Sequence, residues 1–120
     1  MQENTILVID SNPDSTANIK KIFEPAGFLV SDASDGLTGL QMARDMKPGI
    51  TVINTNVLKC NAFIICRLLK FDKQYQHLQI VIVSDNVNNR EKAKAVGADV
   101  FLDKTCDERC LVKVVNELIN

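Results

Sequence analysis

The chain has 120 residues, of which 46% are hydrophobic, and its 14 basic and 15 acidic side chains give a formal net charge of -1 at pH 7. This length and composition are typical of one folded domain with its own core, and they exclude intrinsic disorder. The chain has no excess of Lys and Arg for nucleic-acid phosphates and no apolar run near the roughly 20 residues that span a bilayer, so we expect neither nucleic-acid binding nor membrane insertion by this domain.

The termini and the cysteines predict an ordinary intracellular chain. Met1-Gln2-Glu3-Asn4 lacks the basic and apolar regions of a signal peptide, so we expect a cytoplasmic location. In that compartment the four cysteines are expected to be reduced thiols. The last predicted helix reaches Ile119-Asn120, a natural place for a linker. We therefore expect one domain over 1–120, which could have been cut from a longer signalling protein.

The first part of the chain predicts two strands, each followed by a helix. A strand over about 5–10 precedes Asn12, which suits an N-cap, with Pro13 as the first helical residue. Pro25-Ala26-Gly27 ends that helix, and a short strand over 28–30 leads to a turn at Ser34-Asp35-Gly36. The next helix is weakened by Gly39, and its predicted apolar stripe consists of Leu37, Leu40, Met42 and Met46.

The alternation of strands and helices continues to the end of the chain. The helix before Gly97 is the weakest because it is short and rich in charge. Five strands and five helices in strict alternation predict an α/β fold, a doubly wound five-stranded parallel sheet with right-handed crossovers. The remaining predicted elements are a strand over 47–54, a helix over 63–69, a strand over 80–83, a helix over 88–96, a strand over 100–102 and a helix over 111–119.

Polar residues follow four of the five predicted strands. In an open parallel sheet the carboxyl ends of the strands form the crevice where ligands bind. That crevice would contain the side chains of Asp10, Ser11, Asn54, Ser84 and Lys104.

This set of residues, in this order, resembles the receiver domain of two-component response regulators over essentially the whole chain. The resemblance implies the flavodoxin-like receiver topology and identifies the crevice as a phosphoacceptor site. The second acid that usually follows the first strand is replaced by Ser11, and the phosphoacceptor aspartate by Asn54. The usual hydroxyl is present as Ser84, the usual lysine as Lys104, and the switch aromatic as Phe101.

These replacements predict that the usual chemistry is lost. An asparagine amide is neutral and a poor nucleophile, so no acyl phosphate is expected at Asn54. Mg²⁺ prefers carboxylate oxygens, and only Asp10 remains of the family's acidic ligands, with Asn56 as a residual candidate. We therefore expect no cofactor and weak or absent Mg²⁺ binding. Asp10 and Lys104 could instead form a nearly neutral pair that fixes the site in one state.

The leading hypothesis is a phosphorylation-independent protein-interaction module, a pseudo-receiver without enzyme activity. The resemblance implies a signalling partner, such as a histidine kinase or an output domain. In the family this partner contacts the face formed by the fourth helix, fifth strand and fifth helix. Here that face would include Arg90, Lys94, Glu108 and Arg109.

Three alternatives remain open at this stage. The chain could be a phosphoacceptor that uses a non-standard residue, or a sensor that binds a small ligand in the same crevice. It could also be an unrelated enzyme on the same fold, although its single histidine and the absence of paired carboxylates after a strand provide no catalytic constellation.

Overall fold

The computed structural model describes residues 4–103 and 108–119. Strands and helices alternate through this part of the chain, as the sequence predicts. The strands are β1 (Thr5–Ile9), β2 (Leu29–Ala33), β3 (Ile50–Asn54), β4 (Gln79–Ser84) and β5 (Val100–Asp103). The helices are α1 (Pro13–Phe23), α2 (Gly36–Met46), α3 (Ala62–Lys70), α4 (Arg90–Ala95) and α5 (Glu108–Ile119). A short 3₁₀ turn, Val87–Asn89, precedes α4.

All five strands are parallel and form one sheet in the order β2-β1-β3-β4-β5. The predicted doubly wound α/β architecture is therefore confirmed. The order changes direction between β1 and β3, and these neighbours pair in register, with Ile9 opposite Ile53. The residues that follow Ile9 and Ile53 consequently meet at one edge of the sheet, which is the crevice expected at such a switch point.

Hydrophobic side chains cover both faces of the sheet. One face packs against α2, α3 and α4, and its core includes Leu7, Ile53 and Ile82. The other packs against α1 and α5, and its core includes Val52 and Val115. Strand residues alternate between these two cores because successive side chains point to opposite faces. Within the described ranges, no helix is long and apolar enough to cross a membrane.

Side-chain caps fix the helix starts that position the crevice. Asn12 accepts a hydrogen bond from the Asp14 amide at 2.9 Å and Pro13 begins α1, as predicted. The Asp35 carboxylate accepts hydrogen bonds from the amide and the hydroxyl of Thr38 at 2.9 Å each. Both hydrogen bonds lower the pKa of Asp35 from its ordinary value, and the bond from the Thr38 amide has the larger effect.

The predicted apolar stripe of α2 is wrong at Leu37, which is 56% exposed. The buried residues of α2 are instead Gly36, Gly39, Leu40 and Ala43. A Cβ atom at Gly39 would lie 2.6 Å from the side chain of Ile9, so the glycine permits close packing of α2 on β1. Gly39 thus positions the helix, whereas the sequence suggested only a weakness.

The cysteines in the described residues occupy different environments. Cys66 is buried on the inner side of α3, and burial raises the pKa of its thiol to about 12. Cys60 is a half-buried free thiol in the loop before α3. The expectation of reduced thiols does not hold for Cys110, which is disulfide-bonded.

Candidate functional site

The carboxyl ends of β1 and β3 bring Asp10 and Asn54 together in the interior. Asp10 directly follows β1, Asn54 is the last residue of β3, and both side chains are buried. The amide nitrogen of Asn54 donates to Oδ2 of Asp10 at 3.2 Å. The two residues predicted to share the crevice are therefore in direct contact.

Two further donors surround the Asp10 carboxylate. Its Oδ1 accepts a hydrogen bond from the Asn56 side-chain nitrogen at 2.9 Å and another from the Asn12 backbone amide at 2.8 Å. A buried carboxylate is costly unless it is hydrogen-bonded, and here both oxygens have donors. Both oxygens of this buried carboxyl group are thus hydrogen-bonded to groups of the protein itself.

The orientation of both asparagine side chains follows from their other contacts. The Oδ1 atom of Asn54 accepts from the Asn56 backbone amide at 3.0 Å. The Oδ1 atom of Asn56 accepts from the Ser11 backbone amide at 3.2 Å. Because each oxygen already faces a backbone donor, each side-chain nitrogen must face Asp10. The positive ends of two amide dipoles therefore point at the carboxylate.

Ser11 contributes its backbone to this network, but its side chain points elsewhere. The Ser11 hydroxyl donates to the backbone carbonyl of Ser34 at 3.0 Å, just after β2. The residue that replaces the usual second acid therefore connects the end of β1 to the start of the β2–α2 loop.

Ser84, the last residue of β4, forms a second polar cluster and is fully buried. Its hydroxyl oxygen accepts from the Asn86 amide at 3.1 Å and from the Asn89 side chain at 3.0 Å, and it shares a hydroxyl–hydroxyl hydrogen bond with Thr55 Oγ1 at 3.1 Å. These bonds fix Ser84 to the residue after β3 and to the turn before α4. The predicted site hydroxyl is therefore held entirely by protein groups.

Sequence reasoning did not identify Thr55, Asn86 or Asn89 as parts of the site. The asparagines at 86, 88 and 89 were a possible signal, because short polar side chains often bond to nearby backbone. Asn86 does so, accepting from the Asn88 amide at 2.9 Å as the cap of the 3₁₀ turn. Lys104 lies outside the described residues, so its predicted pairing with Asp10 stays a prediction.

The predicted partner face contains a small hollow beside the switch-aromatic position. This hollow of about 270 Å³ lies between α4 and β5, and Arg90, Lys94 and Phe101 contribute to its lining. The Arg90 guanidinium lies 4.9 Å from the centroid of the Phe101 ring, within cation–π range. Phe101 is half-buried, Arg109 on α5 is exposed, and the side chain of Glu108 lies outside the described part.

Known proteins share both the sequence pattern and the fold. The chain is 28% identical over 116 residues to Protein PilH of Pseudomonas aeruginosa, a match that covers 95% of this chain and 96% of PilH. It is 31% identical over 118 residues to Response regulator PleD of Caulobacter vibrioides, where 94% of this chain corresponds to 25% of that protein.

A solved structure provides a comparison of the fold alone. The chemotaxis response regulator CheY4 of Vibrio cholerae superposes with a TM-score of 0.86 at 21% identity, over 95% of this chain and 97% of that one. Residues 6–116 also match the family described as the response regulator receiver domain. Because this match covers most of the chain, the protein belongs to the receiver domain family of two-component signalling.

Proposed function

We propose that this receiver domain acts by binding protein partners without being phosphorylated. The observation that carries the proposal is the hydrogen bonding of Asp10, whose carboxylate accepts from the side-chain nitrogens of Asn54 and Asn56. In such an arrangement the asparagines supply the positive charge density that a cluster of acids would need from a cation. The site would then hold one state without a chemical signal.

The chemistry of Asn54 supports the loss of phosphoryl transfer. An acyl phosphate forms when a carboxylate oxygen attacks phosphorus, and the neutral amide is a poor nucleophile. The Asn54 oxygen also accepts a backbone hydrogen bond, and its nitrogen donates to Asp10. Both polar atoms of the Asn54 side chain are thus engaged in hydrogen bonds, and neither is an anionic nucleophile.

The donor set around Asp10 does not fit Mg²⁺. This ion requires an octahedral shell of oxygen ligands and usually takes one or two carboxylates. Among the described residues, Asp10 is the one carboxylate of this network, both its oxygens are engaged, and its side-chain hydrogen-bond partners are amide nitrogens. Within the described ranges, no group of three His, Cys, Asp or Glu side chains could hold a metal. The proposed mechanism accordingly includes no metal step.

The proposed partner is a signalling protein such as a histidine kinase or an output domain. The face of α4, β5 and α5 supports this proposal through its mixed charges, which favour a specific partner over general adhesion. Arg90 and Lys94 border an open hollow there, and Phe101 provides an aromatic surface beside them. Aromatic residues and arginine are enriched at binding interfaces. In this role the domain itself catalyses no reaction.

An intact-mass measurement after incubation with acetyl phosphate and Mg²⁺ tests the proposal. We expect no added phosphoryl group on the native chain. The double variant Asn54→Asp, Ser11→Asp restores the two acids and is expected to gain one. A phosphoryl group on the native chain would contradict the proposal, and peptide mapping would identify the residue that accepts it. The single variant Ser11→Asp is the control that keeps the amide at position 54.

A further inference from the structure

The outer face of α3 differs from the outer faces of the other helices. The exposed positions of α1, α4 and α5 are mostly charged or polar. On α3 and the residue that caps it, three large apolar side chains are exposed: Ile64 at 52%, Leu68 at 43% and Phe71 at 67%. Their spacing of four and then three residues places them on one side of a helix. They form an apolar ridge, which we call the α3 ridge.

The α3 ridge borders an open groove between the C-terminal parts of α2 and α3. The groove has a volume of about 580 Å³, and Arg44 of α2 lies on its far side. Within the described part of the chain, the other large exposed apolar residues are scattered over the edge strand β2, the start of α2, the loop before α3 and the 3₁₀ turn. Apolar exposure is thus concentrated at this groove, which we call the α2–α3 groove.

The charges around the α2–α3 groove are mainly positive, although the whole chain is slightly acidic. Arg44, Arg67 and Lys73 line it together with one carboxylate, Asp72. Asp72 already accepts a hydrogen bond from the Gln74 amide at 2.8 Å. Among the described residues, the recorded salt bridges join Lys20 to Asp32 and Lys70 to Asp99, so none involves the three groove cations.

We propose that the α2–α3 groove binds an amphipathic, acidic helix of a partner protein. The α3 ridge would pack against apolar side chains at helical spacing, as in other helix-in-groove complexes. Glutamate or aspartate residues that flank this apolar stripe would pair with Arg44, Arg67 and Lys73. Complementary charge would select this partner and speed its association. This inference goes beyond the proposed function, because it concerns a surface on the opposite side of α3 from the sheet.

The same charges argue against a second copy of this chain as the occupant. A two-fold dimer brings identical patches together, so the groove cations of one copy would face those of the other. Like charges placed together in an interface are unfavourable. A partner of opposite charge avoids this repulsion.

The test uses a synthetic helical peptide with leucines at four- and three-residue spacing on one side and glutamates on both flanks. A matched peptide carries lysine in place of every glutamate. Fluorescence anisotropy measures the binding of each peptide to the full chain. We expect the acidic peptide to bind, with weaker binding at high salt, and the basic peptide not to bind. The amide resonances that shift in ¹⁵N spectra should belong to α3, to residues 71–73 and to the end of α2.

Substitutions at the groove provide the decisive comparison. Arg67→Glu and Leu68→Glu should each lower the affinity for the acidic peptide by about tenfold or more, as expected for central interface residues. Leu29→Glu is the control, because Leu29 is a 72% exposed leucine on the edge strand. It should leave the affinity unchanged. Thermal melting verifies that each variant folds. If Leu68→Glu does not fold, Arg67→Glu alone still tests the groove.

Several results would overturn the proposal. Equal binding of the two peptides would show that charge does not select the partner. Resonance shifts on α4, β5 and α5 would place the peptide on a different surface. Concentration-dependent dimerisation that Leu68→Glu abolishes would make a second copy the occupant, and binding to anionic lipid vesicles in place of the peptide would indicate a membrane surface. None of these results would affect the phosphoryl-transfer test, which measures the mass of the chain after incubation with acetyl phosphate.

Discussion

At the ends of β1 and β3, the buried carboxylate of Asp10 receives hydrogen bonds from three donors, whereas the outer face of α3 leaves Ile64, Leu68 and Phe71 uncovered. The first region is polar and its groups are satisfied within the chain. The second is apolar and is bordered by Arg44, Arg67 and Lys73, none of which joins a salt bridge among the residues that the structure describes. Because uncovered apolar area provides binding free energy, the exposed face of α3 is suited to recognition, whereas the hydrogen bonds of the buried Asp10 are formed within the protein.

The largest effect is expected from Asn54→Asp, which places a second carboxylate beside Asp10. The substitution removes the 3.2 Å hydrogen bond and creates like-charge repulsion. Two charges near 4 Å interact by about 4 kcal/mol at the effective dielectric constant of protein sites, so we expect a loss of about 2–4 kcal/mol in unfolding free energy. Urea denaturation in the presence of EDTA measures it.

The control for this variant is Asn61→Asp. Asn61 is exposed and caps α3 by accepting from the Phe63 amide at 2.7 Å, a role that aspartate performs equally well. Excess Mg²⁺ should restore stability to Asn54→Asp and leave the native chain unchanged. If Asn54→Asp were as stable as the native chain without Mg²⁺, the account of Asp10 would be wrong.

Gly39→Ala tests the packing that supports the crevice. A Cβ atom at this position would lie 2.6 Å from Ile9, the residue before Asp10. Overpacking of this kind typically costs about 1–3 kcal/mol, although alanine favours helix formation by about 1 kcal/mol. We expect a net loss of stability by chemical denaturation. Gln41→Ala at an exposed position of the same helix is the control and should have little effect.

Phe71→Gln tests the exposed apolar region on the outer face of α3. Phe71 is 67% exposed, and its ring has the Arg67 guanidinium 5.9 Å from its centroid. Surface substitutions usually change stability by no more than about 0.5 kcal/mol, and we expect that range here. The same substitution should weaken the binding of the acidic peptide to the α2–α3 groove. A large loss of stability in urea denaturation would instead mean that the α3 ridge belongs to the core.

The smallest effect is expected at Asp35, the cap of α2, which is the helix that links the two regions. The Thr38 hydrogen bonds lower the pKa of Asp35 below its ordinary value of 3.8. The resulting stabilisation is present above the unfolded-state pKa and is lost as the pH falls through the folded-state pKa. The melting temperature of the native chain should therefore exceed that of Asp35→Asn at neutral pH, and the difference should shrink in acid. A difference independent of pH would contradict this assignment.

The sequence predicted the fold well because its signals are local. Alternating apolar runs, the Asn12-Pro13 helix start and the Gly97 stop, with its φ of 87°, all appear in the structure. The proximity of Asp10 and Asn54 followed from the parallel topology alone. These features depend on backbone preference and periodicity, which a single sequence contains.

The parts that could not be predicted depend on tertiary contacts. The side-chain nitrogens of Asn54 and Asn56 both face Asp10, and the sequence could not show this because an asparagine side chain can present either its oxygen or its nitrogen. The predicted apolar stripe of α2 was wrong at Leu37 because the side of the helix that contains Gly39 packs against the sheet. Likewise, Ile64 and Leu68 have the sequence pattern of core residues, and only packing reveals that they are exposed.

The most direct test of the central claim is the ¹⁵N–¹H spectrum of the native chain with and without Mg²⁺ and acetyl phosphate. If hydrogen bonds within the protein have replaced the chemical switch, the amide resonances of Asp10, Asn54, Asn56 and Ser84 should remain unchanged under all conditions. Shifts at these residues that extend to α4 and β5 would contradict the account, because they would show that the site still responds to a metal or a phosphoryl group.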